Sequence, residues 1–141
     1  MKESTLSYCN NLFLFITNTA VSRFQQLQDR AFKIVHSKNA ILNCWCPITK
    51  VREQRCVQEV FKCLNALMPE KLGGKFEKIS HQRETRGNNS KLRLPKVKTK
   101  SGRKMFSFQG ALIFNKLPED LRNETSLLIF NQKCRKFFYE S

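Results

Sequence analysis

A chain of 141 residues is sized for one domain that buries about two-thirds of its unfolded surface, and 40% hydrophobic residues with a mean hydropathy of −0.47 favour one modest core over two. Its 26 lysines and arginines against 11 aspartates and glutamates leave a formal net charge of +15. That imbalance opposes compaction and attracts polyanions, so nucleic acid is the first partner to expect and an anionic surface the second. The excess is concentrated: residues 71–104 hold 12 basic residues against Glu77 and Glu84, a net +10 in 34 residues.

The six cysteines, at positions 9, 44, 46, 56, 63 and 134, do not read as a disulfide framework. Cys56 and Cys63 fall on one face of a single helical pattern and Cys134 on the apolar face of another, so they read as reduced core residues. The apolar run Leu12–Ile16 is interrupted by Thr17, Asn18 and Thr19, and the leading charges Lys2 and Glu3 cancel. It reads as a buried strand or short helix, not as a signal peptide, and nothing is long enough to span a bilayer, so no membrane partner is expected.

Taken in order, residues 1–21 form an uncertain N-terminal extension and residues 22–141 a helical domain. Ser22 with Gln25 makes a capping box, and Phe24, Leu27, Ala31, Ile34 and Val35 trace a helical stripe that predicts a first helix to about His36. Residues 40–47 connect, with Trp45 expected on the core. A second helix runs from Ile48 or Thr49 to Leu67 on Val57, Val60, Phe61, Leu64 and Leu67, and is the centre of a small bundle. Pro69 starts a short helix through Leu72, which Gly73-Gly74 stops. Residues 75–104 are a basic loop or short β-hairpin, with a turn at Gly87-Asn88-Asn89-Ser90 and an extended stretch through Lys91–Lys98 in which Pro95 indicates an edge.

After that stretch, Gly102 is expected to take the positive φ of a tight turn. A helix over 108–117 carries Phe108, Ala111, Leu112, Phe114 and Leu117, preceded by Phe106. Pro118 ends it, and Glu119 and Asp120 open the next segment at the positive pole of a helix. A final helix, capped at Thr125 or Ser126, buries Leu127, Phe130, Cys134 and Phe137 or Phe138. The fold class is therefore mainly α, a small helical bundle with the basic loop between its second and third main helices.

The chemistry of catalysis is missing from the residue types. Two-metal nucleotidyl transfer needs converging carboxylates, and the only aspartates, Asp29 and Asp120, lie in separate helical contexts. No enzyme activity and no cofactor are expected. A zinc-binding interaction module built from Cys44, Cys46, Cys56 and Cys63, or from His36 with Cys44, Cys46 and Cys56, is an alternative, though the spacing departs from the usual paired-cysteine unit. His36 reads as a helix-end residue and His81 as a loop residue.

The positive signal is the basic stretch. Lys91, Arg93, Lys96, Lys98 and Lys100 alternate with Leu92, Leu94, Val97 and Thr99, and Arg103 and Lys104 prolong the run. An extended chain would set most of these charges along one edge to follow a phosphate backbone. Contact with about 5 to 7 phosphates implies a log–log salt slope of roughly −4 to −6. No aromatic platform interrupts the stripe, so base-specific stacking is not expected.

Several elements match a known pattern in order and spacing. The basic turn before Phe106, then Gly110-Ala111, an aromatic at Phe114, Asn115-Lys116-Leu117-Pro118 and Leu121-Arg122 resemble the C-terminal region of jockey-like LINE (non-LTR) retrotransposon reverse transcriptases. Those usually carry Trp where this chain has Phe114. Leu27-Gln28-Asp29-Arg30-Ala31 resembles the family's LQNRA helix start, Leu64-Asn65-Ala66-Leu67-Met68-Pro69 with Leu72 its NGLAPxYL element, and Ser126-Leu127 with Phe130 the opening of its last helix. The resemblance covers roughly Leu27 to Phe138 and implies a post-polymerase region separated from its catalytic palm. With Met1 at its start, the chain reads as a truncated fragment.

Two functions follow as expectations. One is nonspecific electrostatic binding of RNA or DNA by residues 91, 93, 96, 98, 100, 103 and 104. The other is a structural module that packs Phe106, Phe108, Phe114, Phe137 and Phe138 against the polymerase body of a parent reverse transcriptase. A nuclear location is compatible with the basic run, which is a weak address.

Overall fold

A computed structural model of the chain describes residues 17–36, 46–79 and 90–139. The expectations for residues 1–16, Cys44, Trp45, His81 and the turn residues 87–89, and for the side chains of Val35 and His36, lie outside the described residues. Among the described residues there are six α-helices: α1 (Asn18–His36), α2 (Ile48–Leu64), α3 (Glu70–Gly73), α4 (Phe106–Asn115), α5 (Glu119–Arg122) and α6 (Leu127–Tyr139). A 3₁₀ turn at Gly102–Lys104 precedes α4. Among the described residues β structure is limited to one isolated antiparallel bridge, Lys78 with Leu92. The mainly helical class is thus as expected.

Helix α2 is central because its apolar positions form a stripe wide enough for two partners. Cys56, Val57, Val60, Phe61 and Cys63 are buried, and these spacings of three and four place them between α4 on one side and α6 on the other. Toward α6, the rings of Phe61 and Phe130 stack with centroids 4.0 Å apart, and Cys134 and Phe138 continue the same face. Each fully buried ring contributes about 1.5–3 kcal/mol through area alone. Toward α4, the approach is set by Gly110: a Cβ there would lie 2.8 Å from Val60 Cγ2 and 3.3 Å from Phe76 Cζ. Phe76, edge-on to Phe106 at 5.3 Å, closes that side of the core.

Helix α2 stops at Leu64, three residues short of the expected Leu67. Asn65 is its C-cap, Ala66 turns left-handed at φ 54°, and the Leu67 N–H donates to Lys62 O at 2.9 Å. This is the pattern of a Schellman termination. It turns Leu67 outward, so Leu67 is exposed and not a core residue.

Helix α1 also begins elsewhere than expected. Thr17, not Ser22, caps it, its Oγ1 accepting from the Ala20 N–H at 3.4 Å; Ser22 Oγ instead donates back to Asn18 O. Gln25 does not complete a capping box. Its Oε1 accepts from the Ile48 N–H at 3.0 Å, capping the start of α2, while Gln28 Nε2 donates to Cys46 O. The expected core stripe is only half realised: Phe24 and Ala31 are half-buried, whereas Leu27 is 58% and Ile34 78% exposed.

The C-terminal half follows the local rules closely. Helix α4 runs two residues earlier at each end than the expected 108–117, with Lys116 as its C-cap, and Pro118 is the N-cap of α5, whose first turn carries Glu119 and Asp120. Glu124 Oε1 accepts from the N–H groups of Thr125 and Ser126 at the start of α6, and its Oε2 holds Lys133 Nζ at 2.7 Å. The Tyr139 hydroxyl at the other end donates to the buried Gln54 Oε1 of α2.

Candidate nucleic-acid interface

The basic stretch is held to the domain at two points. At the first, the Ile79 N–H donates to Lys91 O at 2.9 Å and the Arg93 N–H to Glu77 O at 2.8 Å, flanking the Lys78–Leu92 bridge. This is the wide hydrogen-bonding site of an antiparallel pair, so the N–H and C=O of Leu92 point away from Lys78. Asn115, at the end of α4, meets them with its side-chain amide: Oδ1 accepts from the Leu92 N–H at 2.7 Å and Nδ2 donates to Leu92 O at 2.9 Å. One side chain thus substitutes for a strand neighbour, and the Leu92 side chain is buried in the core.

The second point is the turn around Gly102, joined to α4 through Arg103. The Gly102 N–H donates to Thr99 Oγ1 at 3.0 Å, and a Cβ on Gly102 would come within 3.2 Å of Val97 Cβ. Gly102 lies in the 3₁₀ turn and takes no positive φ, contrary to expectation; a Cβ there would crowd Val97 and Thr99 at 3.1–3.3 Å. Gln109 Nε2 donates to Arg103 O at 2.7 Å and ties the turn to α4.

The seven candidate residues on and beside this segment fall as follows. Lys91 is half-buried, and Arg93, Lys96, Lys98, Lys100, Arg103 and Lys104 are exposed. Strict alternation would have put Lys91 and Arg93 on one face and Lys96, Lys98 and Lys100 on the other. The inward phase instead slips from Leu92 to Pro95 and Val97, leaving Leu94 outward, and both sets of charges reach solvent. Pro95 has no N–H to lose when the phase changes.

Of the seven, Arg93 alone makes an ion pair among the described residues, with Glu77 at 3.5 Å, and both partners are largely exposed. Such a pair contributes about 0–1 kcal/mol and is displaced easily. Lys75, Glu77, Arg93 and Pro95 line a cleft of about 220 Å³ beside the bridge. Lys75, brought alongside Arg93 by this cleft, and Lys78, exposed at the bridge, were not singled out from the sequence. The only signal for them was the uneven charge of residues 71–104.

The other candidate chemistry fares differently. Among the described residues no three His, Cys, Asp or Glu side chains come together as a metal site, and Cys44 and the His36 side chain are not among them. Burial pushes the Cys56 thiol up to about 12, with Glu53 and Glu59 adding to it, and burial alone does the same at Cys134. Both are therefore held as protonated core thiols. No helix among the described residues is long and apolar enough to cross a membrane. The aromatic patch expected for a packing module is not an outer face: Phe114 and Phe138 are buried, and Phe106, Phe108 and Phe137 are half-buried.

Comparison with protein-family models, with curated proteins and with solved structures found no match to this chain.

Proposed function

We propose that the domain binds RNA or DNA electrostatically and with little sequence preference, through Lys91, Arg93, Lys96, Lys98, Lys100, Arg103 and Lys104. The observation that carries this reading is the exposure of five cations, at positions 96, 98, 100, 103 and 104, along nine residues without an acid. The two anchoring points, Asn115 on Leu92 and Gln109 on Arg103 O, support it further. A basic segment with fixed ends loses less entropy on meeting a polyanion than a loose tail. Residues 75–104 are read as a basic loop tied at its base, and the partner is any regular array of phosphates.

By its resemblance to the C-terminal region of jockey-like LINE reverse transcriptases, the same surface would hold template RNA or an RNA–DNA hybrid near the catalytic site of a parent polymerase. The packing-module reading is less favoured, because the rings it would present are largely engaged within the domain.

The test is the affinity of the purified chain for structured RNA, single-stranded DNA and duplex DNA across a salt series. It is run beside a variant with all seven residues changed to Gln. The expected result is a log–log slope of roughly −4 to −6 that collapses in the variant. Equal binding by the variant, or no binding by either at moderate salt, refutes the reading.

A further inference from the structure

Helix α1 is the longest helix, 19 residues, yet none of the side chains described in it is buried. Among the described residues it is hydrogen-bonded to the domain where Gln25 caps α2 and Gln28 holds Cys46 O. An isolated helix of this length is marginal in water and draws its stability from a covered apolar face. Ala20, Phe24, Leu27, Ala31 and Ile34 recur at alternating spacings of four and three, the seven-residue period of a helix-pairing seam. Of these, Leu27 is 58% and Ile34 78% exposed. From Ala20 to Ile34 the seam runs about 21 Å, enough for two heptads of a second helix.

The charges beside the seam decide what can lie on it. With Phe24 and Ala31 at a and Leu27 and Ile34 at d, the flanking g positions are Arg23 and Arg30, both exposed, and Lys33 is exposed nearby. The opposite flank, at Gln28, is already engaged with the domain. The one acid of the helix, Asp29, accepts from Gln25 Nε2 at 2.9 Å and lies off the seam. A second copy in antiparallel register would set Arg23 against Arg30, like against like, on two bodies that each carry +15.

We propose that α1 is a docking helix for a partner of defined chemistry: an amphipathic helix with an apolar stripe flanked by acidic residues. The partner's apolar side chains cover Leu27 and Ile34, and its carboxylates face Arg23 and Arg30. This surface is separate from the residues 91–104 proposed for nucleic acid.

The test uses the full chain and a labelled synthetic peptide of three heptads, Leu at a and d and Glu at e and g, followed by fluorescence anisotropy at 150 mM salt or above. Expected is binding in the micromolar range that weakens at least tenfold with Leu27→Ser/Ile34→Ser and several-fold with Arg23→Gln/Arg30→Gln. Both pairs are exposed, and circular dichroism checks that each variant retains its helix. Two control peptides keep either the leucines with Lys at e and g, or the glutamates with Ser at a and d; neither should bind comparably. Equal binding of the Ser peptide would mean attraction by bare charge and would overturn the proposal. So would a dimer in sedimentation that Leu27→Ser abolishes, or anionic vesicles or RNA binding through Leu27 and Ile34 while the Leu/Glu peptide does not.

Discussion

Replacing Asn115 by Ala removes both hydrogen bonds that its amide makes to Leu92, at 2.7 and 2.9 Å. The bridge to Lys78 cannot compensate, since its hydrogen bonds are made by the neighbours Ile79, Lys91, Arg93 and Glu77. Each intact bond contributes about 1 kcal/mol net, and a buried backbone group left without a partner costs about 1–3 kcal/mol. The site is only partly buried, so water recovers some of this, and a total loss of about 2–3 kcal/mol is expected. At roughly 4 °C per kcal/mol for a domain of this size, Tm should fall by about 8–12 °C. Urea denaturation gives the free energy, and amide hydrogen exchange gives the location. The Leu92 N–H should be protected in the parent and exchange much faster in Asn115→Ala, while amides in the middle of α2 lose only what global stability loses. Asn115→Asp should recover little, because a carboxylate accepts from the Leu92 N–H but repels its carbonyl. A loss below about 0.5 kcal/mol, with Leu92 exchange unchanged, would refute the clamp.

Further consequences follow from single positions. Gly110→Ala ordinarily stabilises a helix by up to about 1 kcal/mol, but the 2.8 Å approach to Val60 Cγ2 should reverse the sign to a net loss of about 1–2 kcal/mol. In a Val60→Ala background the same change should be neutral or favourable, and stabilisation in the parent background would contradict the packing. Ala66→Gly should raise stability by about 0.5–1 kcal/mol in urea denaturation, relieving the φ of 54° at the end of α2; a loss would mean that Ala66 is not left-handed. Arg122 is 9% exposed, and its Nε and Nη1 are buried without hydrogen-bond partners among the described residues. Arg122→Met should therefore stabilise by about 1–2 kcal/mol, and marked destabilisation would show that the guanidinium is compensated. The Lys133 hydrogen bond, with the N–H groups of Ser126 and Thr125, holds the Glu124 carboxyl below its ordinary value of 4.5. Its contribution is then fully present above pH 4.5 and lost as pH falls through the lowered value. Lys133→Met should shrink that acid-limb loss, and an unchanged acid limb would argue against the pair.

Much of the fold was legible because it obeys rules that act within a few residues. The stripe of Val57, Val60 and Phe61, the stop at Pro118 with acids after it, and Phe130, Cys134 and Phe138 on one face of α6 are all set by helical periodicity and proline chemistry. The composition and clustering of charge likewise marked residues 91–104 as the candidate surface.

What tertiary structure decided were the choices between locally equivalent options. Leu27 and Ile34 suit a buried stripe, but α1 meets the domain through Gln25 and Gln28, so its helical phase was set by the cap it supplies to α2. Leu67 continues the period of α2, yet the left-handed Ala66 ends the helix before reaching it. Gly102 has the same identity under either explanation, and only the positions of Val97 and Thr99 show that a side chain there meets crowding and not an unfavourable φ. The outward exposure of Lys96 and Lys98 together with Arg93 required a slip of phase after Leu92. The Leu92 backbone from which that slip starts is held by an amide 23 residues further along the chain, at Asn115. Local chemistry determines which segments are helical and where the charge lies; which face turns inward depends on the partner that arrives from elsewhere in the sequence.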